Sequence, residues 1–316
     1  MRVVVLGSAT SWYVADLVRA AGDRHEICSA PFSQLAAVLE GGGVHVSAGG
    51  VDLSASDAVL VRSMPPGSLE QVVFRMDALG QLDAAGGPVV NRPRTVDTAI
   101  DKFLASAQLQ AAGLATPRTV ACQTADEALA HFEQFGGEVV VKPLFGGEGR
   151  GITKVSDRAV AWRVFKTLEQ LRTVFYLQEF VPHDGYDFRL LVLGDDVLGM
   201  RRRNEDDWRT NVALGGHPET LAVDDHLAAL ARHAAAAVGA TLAGVDVLPA
   251  CDGRLVVLEV NAVPGWRALA QVADVDVAAL VLNHLQQAAR PEAQVDRRRP
   301  GPPWPTPVDT TAAECS

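Results

Sequence analysis

Three oxygen-bearing side chains stand inside otherwise apolar β sequence in Gly244-Val245-Asp246 and Leu258-Glu259-Val260-Asn261-Ala262-Val263-Pro264-Gly265. Both flanks read as strands, Ala243 to Pro249 and Leu255 to Val260, joined by the turn-forming Cys251-Asp252-Gly253, which predicts a hairpin. Side chains alternate with period two, so Glu259 and Asn261 share a face and antiparallel pairing brings Asp246 within reach. A buried carboxylate without a partner is strongly destabilising, which makes a cation the economical explanation. Two carboxylates and a carboxamide, with no His or Cys among them, favour Mg²⁺ or Mn²⁺ over zinc. Mg²⁺ held by few protein ligands usually also holds a phosphate-bearing substrate. The alternative is an exposed hairpin whose acids are solvated.

At 316 residues the chain is long enough for two or three domains around a well-buried core. A formal net charge of −10 and a pI near 5.3 argue against a nucleic-acid partner while permitting local basic patches that bind anions. Cys28, Cys122, Cys251 and Cys315 are scattered without a CxxC pair, so neither a zinc site nor a disulfide framework is indicated and reduced thiols fit best. Met1 to Gly7 has too short an apolar run for a signal peptide, and nothing approaches a membrane span, so a cytoplasmic protein with no membrane partner is expected.

The expected fold class is mixed α/β and α+β. Val3 to Leu6 reads as a buried parallel strand, Trp12 to Ala21 as a helix, Ala58 to Val61 as a second strand, Leu69 to Ala85 as a helix and Pro88 to Val90 as a strand. Together they predict an open α/β layer over residues 1–92. A long helix is expected from Thr98 to Ala112, stopped by Gly113. Residues 116–180 read as a compact α+β unit with helices Ala125 to Phe135 and Ala159 to Leu171, and strands Val139 to Lys142, Ile152 to Val155 and Val174 to Phe180. Residues 181–289 carry strands near Phe188 to Leu193 and Val197 to Arg201, the hairpin, and helices Asp225 to Val238 and Val275 to Ala288. The proline-rich, polar stretch 290–316 is expected to be disordered.

A second signal is Val139-Val140-Val141-Lys142 followed by Gly146, Gly147, Gly149 and Gly151. The strand delivers a lysine at its end, and the glycines let backbone N–H groups fold over phosphates. The order is neither a Walker loop nor a Rossmann fingerprint, and a plain glycine-rich turn is the alternative. Lys102 follows Asn91-Arg92-Pro93 and Asp101, about forty residues before Lys142. Two lysines, a glycine loop and an oxygen metal site compose a nucleoside-triphosphate site.

The order of these parts, from about residue 88 to 287, resembles the ATP-grasp fold of ATP-dependent carboxylate-amine ligases, and most closely RimK-like glutamate ligases. The resemblance implies an N-terminal open α/β domain (1–92) and an ATP-grasp domain (93–289) with a small central lid domain (about 116–180) and a C-terminal α+β portion. It implies that Lys102 and Lys142 contact nucleotide phosphates beneath the loop of Gly146, Gly147, Gly149 and Gly151. Gln178, Glu179, Phe180 and Val181 look like the interdomain strand contacting adenine, and Asp187 like the carboxylate contacting the nucleotide sugar. Arg201-Arg202, Trp208-Arg209-Thr210-Asn211 and Gly215-Gly216 resemble the segment carrying catalytic and phosphate-contacting groups, with Arg202 and Arg209 the implied catalytic residues. Asp246, Glu259 and Asn261 match the family's magnesium ligands. Leu214 departs from the arginine usual before the paired glycines. Val263 to Leu269 looks more like the pterin- and deazaflavin-cofactor ligases than those acting on ribosomal proteins.

The implied reaction is ADP-forming ligation through an acyl phosphate, adding an amino acid, with L-glutamate expected, to a carboxylate on a small molecule or a protein C-terminus. The competing readings are an ATP-grasp ligase for other substrates, such as a D-alanine or lysine-pathway ligase, and a nucleotide-binding protein that no longer ligates. A homo-oligomer is left open. Arg62-Ser63, at the end of a strand in an open sheet, could bind an acceptor carboxylate, the plainer reading being a surface arginine. Ser8 to Ser11, after the first strand, stands similarly. His183 and His217 are expected in solvent-exposed loops, and Arg297 to Arg299 as a solvated charge cluster.

Overall fold

The computed structural model describes residues 1–147 and 149–289. The chain opens with β1 (Arg2–Leu6), α1 (Trp12–Ala21), β2 (Glu26–Ala30), β3 (Leu35–Glu40), β4 (Gly43–Ala48), β5 (Val51–Asp52), β6 (Ala58–Val61), α2 (Leu69–Ala84) and β7 (Val89–Val90). Strands β2-β1-β6-β7 form a parallel sheet, and β3-β4-β5 a small antiparallel one. Val3, Val4, Val5 and Leu6 are fully buried, as continuous apolar runs are in a sheet covered on both faces. Helix α2 starts where Ser68 and Gln71 form a reciprocal capping box. The three-stranded sheet and β2 lie where no element is expected from the sequence, between Ala21 and Ala58.

The long helix expected from Thr98 to Ala112 is two helices, α3 (Pro93–Ile100) and α4 (Lys102–Ala111). Asp101 breaks it with an extended backbone, and its carboxylate accepts from the N–H groups of Phe103 and Leu104 at 2.9 and 3.0 Å. An aspartate prefers this capping role to a helix interior. The break makes Lys102 the first residue of α4.

Then follow β8 (Thr119–Cys122), α5 (Ala125–Gln134), β9 (Val139–Lys142), β10 (Thr153–Val155), α6 (Arg158–Gln170) and β11 (Phe175–Glu179), giving an antiparallel sheet β10-β9-β11-β8 with both helices against it. The last part holds β12 (Tyr186–Leu193), β13 (Asp196–Arg203), β14 (His217–Thr220), α7 (Asp225–Ala237), β15 (Leu242–Pro249), β16 (Leu255–Asn261), α8 (Leu269–Val272) and α9 (Val277–Ala288). Its antiparallel sheet runs β14-β13-β12-β15-β16. The first and last parts share one core, since Val3, Val5, Leu17 and Leu60 cluster with Leu191, Trp266, Val281 and Leu285.

Among the described residues no helix is long and apolar enough to cross a membrane. Cys28, Cys122 and Cys251 are free thiols. The expected tail, with Arg297 to Arg299 and Cys315, lies outside the described residues.

Candidate active site

The five-stranded sheet sets a row of charges side by side. Asp187 and Arg189 share a face of β12 by the period of two; Arg202 on β13 is opposite Asp187, Asp246 on β15 opposite Arg189, and Glu259 on β16 opposite Asp246. Arg202 Nε donates to Asp187 Oδ1 at 2.8 Å, and its Nη2 reaches both Asp187 Oδ2 and, at 3.0 Å, Asp246 Oδ2. Arg189 Nη1 donates to Asp246 Oδ1 at 2.6 Å. All four groups are buried. Burial opposes charge on Asp246, yet Arg189 and Arg202 hold its carboxyl below the ordinary carboxylate range. Burial likewise opposes charge on Arg202, and Asp246 and Asp187 more than offset it.

Glu259 stands apart from this balance. Among the described residues it has neither a hydrogen bond nor an ion pair, and burial followed by the charge of Asp246 pushes its carboxyl above the ordinary range. The register slips beside it: Asp246 faces Glu259 but Val247 faces Val257, leaving Leu258 as a bulge residue. A bulge interrupts strict alternation, and Leu258 and Glu259 both line the two cavities on this side of the sheet. Asn261 faces Gly244 in the same ladder, and its Oδ1 accepts from Val263 N at 2.8 Å, retaining a second lone pair. Among the described residues no three His, Cys, Asp or Glu side chains are grouped to hold a metal ion. A cation here would therefore rest on Asp246, the unpartnered Glu259, the Asn261 amide and oxygens from outside the chain. That all-oxygen set fits Mg²⁺.

Lys142, at the end of β9, and Lys102, at the start of α4, converge on this acid: both ammonium groups are held below the usual lysine range by burial, with Glu259 as their largest opposing charge. Lys102 Nζ also donates to Gly146 O at 2.5 Å, tying α4 to the glycine loop. Asp101 thus places the lysine by breaking the helix before it.

A narrow cleft between the β9/β11 sheet and the larger sheet is lined by Val140, Ile152, Phe180, Val181, Leu248 and Leu258, with Lys142, Asp187, Arg202, Arg209 and Asn211 along it. Gln178 and Glu179 border it as well, but their side chains are engaged elsewhere. Gln178 Nε2 donates to Tyr176 Oη and Thr119 Oγ1, both at 3.0 Å, while its Oε1 is buried without a partner. Glu179 Oε1 accepts from Arg118 N at 3.0 Å. His183 is half-buried against Phe180 in this cleft and its imidazole is held below the usual range by burial, contrary to the expected solvent-exposed loop. His217 is exposed but begins β14 rather than lying in a loop.

The segment after β13 is organised by Asn204, a residue the sequence does not single out. Its amide donates to Arg209 O at 2.7 Å, and its Oδ1 accepts from the N–H groups of Asp206 and Asp207. Arg209 Nη2 is paired with Asp207 at 2.6 Å. The glycine loop closes onto this segment at Gly149, which is buried with φ +73°; a Cβ there would sit 2.7 Å from Asn211 Oδ1 and 2.8 Å from Leu214 Cδ1. Leu214, where the resemblance implies an arginine, therefore lies against the loop with an apolar side chain. Gly149→Ala is expected to lower turnover by about tenfold or more with little change in melting temperature, because strain and collision act on the closed loop alone. Wild-type turnover in that variant would show that closure at Gly149 is dispensable.

Two residues that directly follow strands of the first sheet, Asn91 after β7 and Arg62 after β6, brace the stretch following Asn261. Asn91 Nδ2 donates to Ala262 O at 2.7 Å and Leu242 O at 2.6 Å, and its Oδ1 accepts from Thr241 N and Leu242 N. Arg62 Nη1 donates to Pro264 O at 2.5 Å, with the guanidinium 4.3 Å from the Tyr13 ring and 4.5 Å from that of Trp266. Arg62 is therefore not a surface arginine: only 8% of it is exposed, its Nε is unpartnered, and burial lowers its pKa to about 10. Ser8 and Ser11 are spent locally, on Thr10 and on the start of α1.

The sequence profile of a RimK-like ATP-grasp domain matches residues 99–285. A tetrahydromethanopterin:alpha-L-glutamate ligase of Methanosarcina acetivorans is 32% identical over 268 residues, which cover 76% of this chain and 82% of the relative. An alpha-aminoadipate–LysW ligase of Sulfolobus acidocaldarius is 30% identical over 204 residues, 63% of this chain and 74% of the relative. Among solved structures, the ATP-grasp ligase PsnB complexed with a minimal precursor superposes with a TM-score of 0.72 at 23% identity, over 90% of this chain and 98% of that one. A RimK domain ATP-grasp protein from Sphaerobacter thermophilus gives 0.68 at 24% identity, over 90% of this chain and 100% of that one. These two structures speak to the fold.

Proposed function

Because the chain belongs to the RimK-like ATP-grasp family of carboxylate-amine ligases, we propose that it joins L-glutamate to a carboxylate on a pterin-like small molecule, forming ADP. The observation that carries this reading is Glu259, an unpartnered carboxylate facing two lysines and a second acid, an arrangement that is unfavourable until a cation and an anionic substrate complete it. The glutamate ligase relative supplies the amino acid and the acceptor class.

In this reading the narrow cleft takes the nucleotide base among Val140, Ile152, Phe180, Val181, Leu248 and Leu258, with Gln178 and Glu179 at its edge. Asp187 lies toward the sugar, and Lys102, Lys142 and the loop of Gly146, Gly147, Gly149 and Gly151 toward the phosphates. Asp246, Glu259 and Asn261 would hold Mg²⁺, with Mn²⁺ as a substitute, and the ion would neutralise phosphate charge. The difficulty in the first step is bringing two anions together, and Lys142, Arg202 and Arg209 offset it. The acceptor carboxylate oxygen bonds to the γ-phosphorus as its bond to ADP breaks. The glutamate nitrogen then bonds to the acyl carbon, phosphate departs and the nitrogen loses a proton. An acyl phosphate hydrolyses readily, so closure of the glycine loop on Asn211 and Leu214 keeps water out. Dependence on ATP and reduced thiols agrees with a cytoplasmic setting.

ADP release with ATP, Mg²⁺ and L-glutamate, screened over pterin-type acids and a LysW-type carrier with mass spectrometry of the product, tests the proposal. A product heavier by one glutamate residue on the pterin-type acid is expected. ADP release with the carrier alone would move the acceptor to a protein, and nucleotide binding without ADP release from any acceptor would overturn the ligase reading.

A further inference from the structure

On the other side of Lys142 and Glu259 from the narrow cleft lies a much larger cavity, of about 730 Å³. Its floor is β16 and α4, one wall is the end of α3, and the opposite wall is the loop after β6 running into α2. The glycine loop covers it at Phe145 to Gly147. Charge is confined to one end, where Lys102, Lys142 and Glu259 meet. The Asn261 amide lies at the same end, and the walls beyond are mainly apolar: Met64, Pro65, Leu69, Val72, Ile100 and Phe145 face the cavity. Its inner hydroxyls are already engaged, since Ser106 Oγ and Tyr176 Oη are 2.7 Å apart in one hydrogen bond. Leu69 is 81% exposed and Phe145 59% exposed, so the apolar lining runs out to the rim.

We propose that this cavity is the acceptor subsite and that it takes the carboxylate-bearing arm of the acceptor, an arm whose body is apolar and ring-bearing, with the carboxylate directed to the lysine end. The inference rests on the ligase reading above and adds the chemistry of the acceptor to it. Size fits, because pockets for small molecules span about 300–1,000 Å³. Charge fits, because the two lysines stand at one end with Glu259 beside them, and no charged side chain lines the rest of the cavity. A peptide is disfavoured: each residue of its backbone brings an N–H and a C=O, and the apolar walls offer them no partners. The charged end is shared with the nucleotide cleft, so an acid seated this way presents its carboxylate where the phosphoryl group is transferred.

The test compares two acids that end in the same glutamate: N-(4-aminobenzoyl)-L-glutamate, which carries a ring, and glycylglycyl-L-glutamate, which carries only backbone. ADP release is followed with ATP, Mg²⁺ and L-glutamate, and binding of each acid is measured separately by calorimetry. The aryl acid is expected to exceed the peptide by about tenfold or more in kcat/KM. Leu69→Asp and Val72→Asp, both outside the fully buried core, are expected to raise KM for the aryl acid by about tenfold while leaving KM for ATP within about twofold. Equal or greater use of the peptide, no binding of the aryl acid, or indifference of that binding to both variants would overturn the subsite. Aryl-acid binding that is weakened by both variants but never accompanied by ADP release would preserve the subsite and overturn the ligase reading.

Discussion

Glu259→Gln is expected to abolish Mg²⁺-dependent ADP formation, by at least about a hundredfold, while the folded chain becomes more stable by about 1 kcal/mol. The two effects have one cause. In the chain alone Glu259 is a carboxylate with no partner, facing Asp246 across the β15–β16 ladder. Glutamine keeps the shape and removes both the desolvation cost and the repulsion, so stability rises. It also removes the negative charge from the one ligand not already held by an arginine or a backbone N–H, leaving a neutral amide oxygen, so affinity for a cation falls. Thermal melting and a coupled ADP assay on the same preparation decide the matter. Retained turnover would remove Glu259 from the site, and a clear loss of stability would mean that the acid has a structural partner.

Arg202→Met carries the largest expected loss of stability, about 3–5 kcal/mol, because it strands Asp187 and Asp246 as buried carboxylates without their shared cation. Arg189 remains bonded to Asp246, so Asp187 bears most of the cost. Adding Asp187→Asn to Arg202→Met is therefore expected to recover part of the stability, whereas adding it to the wild type should not help. Arg202→Lys should be intermediate, since an ammonium cannot repeat the guanidinium's two parallel bonds to one carboxylate while also reaching the next. Urea denaturation of the four proteins gives the coupling energy. Additive effects of Arg202→Met and Asp187→Asn would refute the shared charge balance.

The hairpin was legible in the sequence because acids interrupting an apolar alternation are a local signal, and the shared face of Glu259 and Asn261 follows from the period of two. The same rule would have reached Arg189, which shares a face with Asp187 beside the strand bearing Asp246. The bulge at Leu258 leaves no mark in a short apolar run. The split between α3 and α4 was available in Asp101, whose capping habit competes with the helical spacing around it. Arg62 was beyond local reading: its Tyr13 and Trp266 rings and its Pro264 acceptor come from distant parts of the chain and meet only when the first sheet packs on the last helix. Asn204 reads as a loop residue until the carbonyls of Arg209 and Leu214 are seen to converge on it.

The core shared by β1, α1 and β6 with β12, Trp266 and α9 also bears on how acceptor choice can be altered. Loop 64–67, on the wall of the large cavity, hangs from the first sheet, which invites transplanting that sheet as a cassette from one ligase to another. Such a graft would sever the packing of Val3, Val5, Leu17 and Leu60 on Leu191, Val281 and Leu285, and would remove Arg62 and Asn91 from the stretch after Asn261. Recombination is better confined to the loop and the first turn of α2, leaving the strands beneath them with the partners they already bury.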